Sequence, residues 1–145
     1  MANAVTAISE ITDKAVTGGD GNKLRYIFKV FTAEPVGTTT TVDTVYATTS
    51  LGLMVTEYEF FGLWVKLAGS GTKAVDIKIL QSWDQTDADF VIPDAGGTVA
   101  TGISDGNPHI YQLAPSPMPY LRIRATGTGS NDASTTITAY LFVQS

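Results

Sequence analysis

The stretch whose reading decides the fold is "EYEFFGLWVKLAGSGTKAVDIKIL", residues 57–80. In its first half Phe61, Leu63, Val65 and Leu67 occupy every second position. In its second half Val75, Ile77 and Ile79 do the same, with Asp76 and Lys78 between them. Side chains of an extended chain point alternately to the two faces of a sheet, so each half reads as a strand with one buried face. Between them "AGSGTK" (68–73) supplies the small residues and glycines of a tight turn, which predicts a hairpin.

The same period recurs outward in both directions. "LRYIFKVF" (24–31) places Leu24, Tyr26, Phe28 and Val30 on one face, and "TVDTVYAT" (41–48), "HIYQL" (109–113), "YLRIRAT" (120–126) and "TTITAYLFV" (135–143) are rich in β-branched and aromatic residues. "VGTTTT" (36–41) reads as a loop entering a strand. "PDAGG" (93–97), "SDGNP" (104–108), "APSPMP" (114–119) and "GTGSNDAS" (127–134) carry the glycines, prolines and short polar residues of loops. "AVTAISEITDKAV" (4–16) is open to two readings, a short helix or an extended arm, and its Val, Thr and Ile content favours the arm. The expected fold class is therefore all-β: an arm over residues 1–16 and, over 17–145, a single-domain β-sandwich of jelly-roll type, with a closed barrel as the alternative.

Bulk properties narrow the function. The 145-residue chain is long enough for one domain with a real core. It has no cysteine, which excludes disulfides and thiolate metal sites. A net charge of −5 argues against nucleic acid and against anionic lipid as partners. Only 16% of residues are charged, against about 25% in a typical soluble domain, which suits a surface packed on other protein. "MANAVTAISE" has neither the basic start nor the apolar run of a signal peptide, and no apolar stretch is long enough to span a bilayer. Synthesis in a cytoplasm is expected, with no membrane partner.

No motif assembles into an active site. "SWDQTDADF" (82–90) sets Asp84, Asp87 and Asp89 between Trp83 and Phe90. A calcium loop needs closer carboxylate spacing, a turn glycine and a following glutamate, and no glutamate follows Glu59. Paired glycosidase carboxylates need a cleft between them. The aspartates therefore read as a solvated turn, Phe90 as the start of an apolar run, and Trp83 as covering a core edge or meeting a partner. "GISDG" (102–106) matches the nucleophile-elbow pattern, but Pro108 and a strand follow where a helix is required. The single histidine, His109, reads as a strand residue with a satisfied ring. "TGGDGN" (17–22) and "GTGSND" (127–132) lack the lysine and helix of a phosphate loop. Arg122 and Arg124 share one strand face and either meet an acidic neighbour or form the wet side opposite Leu121 and Ile123; the wet side is the expectation. Trp64, Trp83, Tyr111 and Tyr120 either stack on sugar rings or fill the core. Neither an enzyme, a metal nor a cofactor is expected.

The order of parts in "FFGLWVKLAGSGTKAVDIKILQSWD" (60–84) and "HIYQLAPSPMPYLRIRATGTGSNDASTTITAYLFVQS" (109–145) resembles small β-sandwich structural proteins of tailed-phage virions, in particular head decoration (cement) proteins. The resemblance covers residues 57–145. It implies a jelly-roll-like homo-oligomer, usually a trimer, on the outer surface of a phage capsid, with the major capsid protein as partner and shell stabilisation as its work. On that reading the contact residues are Val5, Ile8 and Ile11 of the arm and Trp83, Asp84, Asp87 and Phe90 of the loop. The competing expectation is a carbohydrate- or receptor-binding sandwich of the kind found in fibre and tail accessory proteins.

Overall fold

The computed structural model describes residues 4–7, 10–11, 25–45, 53–54, 59–84, 86, 89–94, 96–114 and 118–144. Its strands are β1 (Ala4–Ala7), β2 (Glu10–Ile11), β3 (Arg25–Pro35), β4 (Thr41–Val45), β5 (Leu53–Met54), β6 (Phe60–Ala68), β7 (Val75–Ser82), β8 (Thr98–Ile103), β9 (His109–Leu113), β10 (Tyr120–Gly127) and β11 (Thr136–Gln144). They form two sheets, ordered β1-β4-β10-β7-β8, with β5 also on β10, and β2-β3-β11-β6-β9. The longer strands make two antiparallel layers, β4-β10-β7-β8 and β3-β11-β6-β9. The last two strands each insert between an early and a middle strand, which is the interleaving of a jelly roll. The all-β sandwich expected from the periodicity is what the chain adopts.

The alternation read from residues 57–80 holds at the level of single side chains. Phe61, Leu63, Val65 and Leu67 of β6 meet Val75, Ile77 and Ile79 of β7 in one core, joined by Ile137, Leu141 and Val143 of β11 and by Leu121 and Ile123 of β10. The predicted hairpin at 68–73 is not formed. β6 and β7 lie in different sheets, so the segment carries the chain from one layer to the other. Alternation specifies which side chains point inward, but it is silent on whether two strands with matching inward faces lie side by side or face to face.

A second departure lies in β3. Phe28 and Val30 are buried as expected, yet Phe31 is buried too. The β3–β11 ladder shifts register between Ile137 and Ala139 and again between Ala139 and Tyr140, so β3 carries two extra residues, one at each shift. Ala33 follows with a left-handed φ of 46°, and its amide donates to Thr138 Oγ1 at 3.1 Å.

At one end of the sandwich the links β3–β4, β6–β7, β8–β9 and β10–β11 all pass between the sheets. Asn131, 5% exposed, ties three of them together. Its Nδ2 donates to Val36 O at 2.6 Å, and its Oδ1 accepts from Ala74 N at 2.9 Å. Around it Thr128 N donates to Ala74 O at 2.8 Å, Asp132 N to Thr72 O at 2.8 Å and Val36 N to Thr135 O at 3.0 Å. The packing is close enough to demand glycine: a Cβ on Gly127 would lie 2.3 Å from Val36 O, and one on Gly37 would lie 2.3 Å from Ala133 O.

Asn131→Ala leaves one buried carbonyl and one half-buried amide without partners; a fully buried orphan costs about 1–3 kcal/mol, and the half-buried amide less. A loss of about 2–4 kcal/mol in urea unfolding is expected. Asn131→Asp should cost more, because its carboxylate would face the Val36 carbonyl oxygen.

Candidate functional site

The two outer faces of the sandwich differ in chemistry. On the five-stranded sheet, the residues between the core positions are Ile27 and Lys29 of β3, Tyr140 and Phe142 of β11, Phe60, Gly62 and Trp64 of β6, and Ile110 and Gln112 of β9. The ladders align Lys29, Tyr140, Trp64 and Ile110 in one row across the sheet, and Ile27, Phe142, Gly62 and Gln112 in the next. Trp64 and Tyr140 meet edge to face, with ring centroids 5.5 Å apart at 64°. Lys29 Nζ sits 5.7 Å from the centre of the Tyr140 ring. Ile27, Trp64, Tyr140 and Phe142 line a shallow hollow of about 270 Å³. Ile110 is 79% exposed, Phe60 54% and Phe142 43%.

The opposite face is charged, paired and partly covered. Arg124 donates from Nε and Nη2 to the two carboxylate oxygens of Asp43 at 2.7 and 2.9 Å, a bidentate pair across the β4–β10 ladder. Asp43 is buried. Arg122 is buried as well, its guanidinium 4.0 Å from the centre of the Phe90 ring. The expected wet face at Arg122 and Arg124 is therefore corrected: one arginine reads an acidic neighbour and the other lies beneath a loop. That loop returns over the sheet because Gln81 and Val91 exchange backbone hydrogen bonds of 2.8 and 3.0 Å.

The loop separates the residues that the sequence grouped. Phe90, 7% exposed, covers Arg122, while Trp83 projects outward, 70% exposed. Asp84 organises a tight turn. It accepts from Thr86 N at 3.0 Å, from Thr86 Oγ1 at 3.3 Å and from Ser82 Oγ at 3.2 Å. The Thr86 amide, above all, holds the Asp84 carboxyl below the ordinary aspartate value. The Asp84 charge in turn raises Asp89. Gln81, Ser82, Trp83, Asp89, Val91, Pro93 and Met118 line an open cleft of about 290 Å³. Asp87 lies outside the described residues. Among the described residues no group of three or more acidic or histidine side chains is placed to hold a metal ion.

The remaining candidates are scattered. Ser104 is exposed in the link between β8 and β9. Asp105 accepts from Asn107 N at 2.9 Å and pairs with His109 Nε2 at 2.8 Å, and the histidine bond holds the Asp105 carboxyl low. His109 stacks on Tyr111, with centroids 6.2 Å apart. In the arm, the Val5 backbone lies opposite Asp43 in a parallel pairing of β1 with β4, and Ile11 lies opposite Phe28 where β2 borders β3. Ile8 is outside the described residues. The apolar outer face was missed from sequence because "FFGLWV" and "AYLFV" are apolar on both alternating sets; the unbroken run was its signal.

No protein-family profile and no curated protein sequence matches the chain. Solved structures of similar fold include the SPBc2 prophage-derived protein YomS, at 14% identity over 85% of this chain and 95% of that one, with a TM-score of 0.38. The tobacco streak virus coat protein is similar at 13% identity over 83% and 85%, with a TM-score of 0.41. CBM86, a xylan-binding module from Roseburia intestinalis, is similar at 9% identity over 94% and 86%, with a TM-score of 0.42. The likeness to these prophage, viral coat and carbohydrate-binding proteins is distant.

The carboxylate pair is testable by NMR titration of side-chain carboxyl carbons. Asp89 should titrate above an ordinary aspartate and Asp84 below. Asp84→Asn removes the neighbouring charge, so Asp89 should fall back toward the ordinary value.

Proposed function

We propose that this chain is a structural protein that docks on an assembled protein shell, as a capsid decoration protein does, with the major capsid protein of a phage as partner. The observation that carries the reading is the apolar outer face formed by Ile27, Trp64, Tyr140, Phe142 and Ile110, beside an opposite face that carries the Asp43–Arg124 pair and the covered Arg122. Large apolar patches on an otherwise polar protein mark interaction surfaces. Aromatic side chains supply much of the binding energy in such surfaces. The work is mechanical and involves no chemical step. A protein that binds only the assembled shell stabilises it by mass action. Its place would be the outer surface of the virion. In gradient sedimentation of lysates from cells carrying its gene, the protein should travel with particles. Phe142→Glu should leave it at the top of the gradient while preserving the fold. Wild-type protein that never sediments with particles would sink the proposal.

A second reading, saccharide binding, is favoured by the Trp83 cleft. An exposed indole can stack on the C–H face of a sugar ring while Gln81 and Asp89 hydrogen-bond its hydroxyls. Screened against a glycan array, the protein should retain a class of sugars that Trp83→Ala loses and Trp64→Ala keeps. An empty array, or binding unchanged in Trp83→Ala, would remove this reading.

A further inference from the structure

The outer edge of β9 lacks the guards found at the edges formed by β8 and β2. β9 is bonded to β6 along Phe61–Val65, and among the described residues no strand lies on its other side. In an antiparallel ladder alternate residues turn their N–H and C=O groups away from the neighbour, so a terminal strand offers free donors and acceptors to another strand. Natural edges are usually blunted by bulges, charges, proline or short length. β8, the corresponding edge of the other sheet, is blunted in two ways. Its ladder with β7 shifts register twice, and Gly102, at a φ of 63°, gives its amide to Asp76 Oδ1 at 2.8 Å. β2 is blunted by having only two residues. β9 has no such guard. Its ladder is regular, Pro108 lies before it, and Ile110, Tyr111, Gln112 and Leu113 carry no charge. Ile110 is also 79% exposed, the highest value among the large apolar side chains of the described residues. The edge is open to approach, since a cleft of about 260 Å³ runs beside it between Thr98 and Val99 of one sheet and Ile110 to Leu113 of the other.

We propose that β9 pairs with β9 of a second copy of this chain, antiparallel about a two-fold axis, joining two five-stranded sheets into one. Two observations favour a second copy as the occupant. An antiparallel strand is complementary to itself, so a two-fold axis through β9 satisfies both edges with one contact, as a closed dimer interface requires. Each chain carries a net charge of −5, so two copies approach most easily along an uncharged strip, and β9 is one. The carboxylate nearest to β9 in the sequence, Asp105, is engaged by His109. With Tyr111 on the axis, Ile110 of one copy lies opposite Gln112 of the other, and the apolar outer face continues from one protomer to the next. This pairing stands on the strand edge and is independent of shell binding.

Light scattering after size exclusion, across a dilution series, tests it. The expected mass is twice the 15.4 kDa of one chain at high concentration, falling on dilution. Ile110→Lys places a charge on the edge and should weaken self-association by at least about tenfold. Phe142→Glu, on the same face but on β11, should leave the dimer intact. Hydrogen exchange should show amides within Ile110–Leu113 slowed only at concentrations where the dimer forms. A wild-type monomer at every concentration, a trimer, or a dimer unaffected by Ile110→Lys would each overturn the pairing. Any of these would leave the sedimentation experiment to decide shell binding separately. Circular dichroism of Ile110→Lys excludes misfolding as the cause of a lost dimer.

Discussion

The Asn131 side chain is the contact on which the closed end of the sandwich depends. Two sheets pressed together by apolar side chains are free to slide, because hydrophobic burial has little directional preference. A buried amide with one donor bond to Val36 O and one acceptor bond from Ala74 N removes that freedom. It fixes the heights at which β3, β7 and β11 enter or leave the layers, and so sets which core side chains face one another. The glycines at 37 and 127 let three backbones come close enough for one side chain to reach them. An unmade hydrogen bond is costlier here than at the surface, where water would replace it.

With the layers held, the two outer faces take on opposite characters for the same structural reason. β10 receives its charged residues on the outer side, and its neighbour β4 brings Asp43 to Arg124. The segment after β7 folds back and lays Phe90 over Arg122. Arg124, Asp43 and Arg122 are thereby paired or covered. β6 and β11 instead run apolar on both sides, so filling the core leaves Trp64, Tyr140 and Phe142 directed outward. The asymmetry between the faces is thus a by-product of which strands the topology puts in which sheet. It is also the property on which the docking function proposed above rests.

On the function proposed above, the working parts of this scaffold are its surfaces. The carboxylates that invite a catalytic reading sit on exposed turns, with Asp84 and Asp105 occupied by backbone and side-chain partners. Among the described residues, an apolar face, an exposed indole and an edge strand remain available. These are the means by which a protein meets another protein, a sugar or itself.

The inward-facing residues were legible because alternation is a local property: Phe61, Leu63, Val65, Leu67, Val75, Ile77 and Ile79 could be assigned to the core from spacing alone. The absence of cysteine, the low charge and the all-β class were legible for similar reasons. The route of the chain was not. Residues 68–73 read as a hairpin because turn chemistry is the same whether the next strand lies beside its predecessor or across from it. Arg124 and Asp43 are 81 residues apart, and Asn131 and Val36 are 95 apart. No local pattern announces either pair. The sequence by itself determined which side chains avoid water; only the tertiary structure decided which strands pair and which apolar residues stay exposed. Strand partners are chosen by packing and hydrogen bonding between segments distant in the chain, and neither leaves a trace in local periodicity.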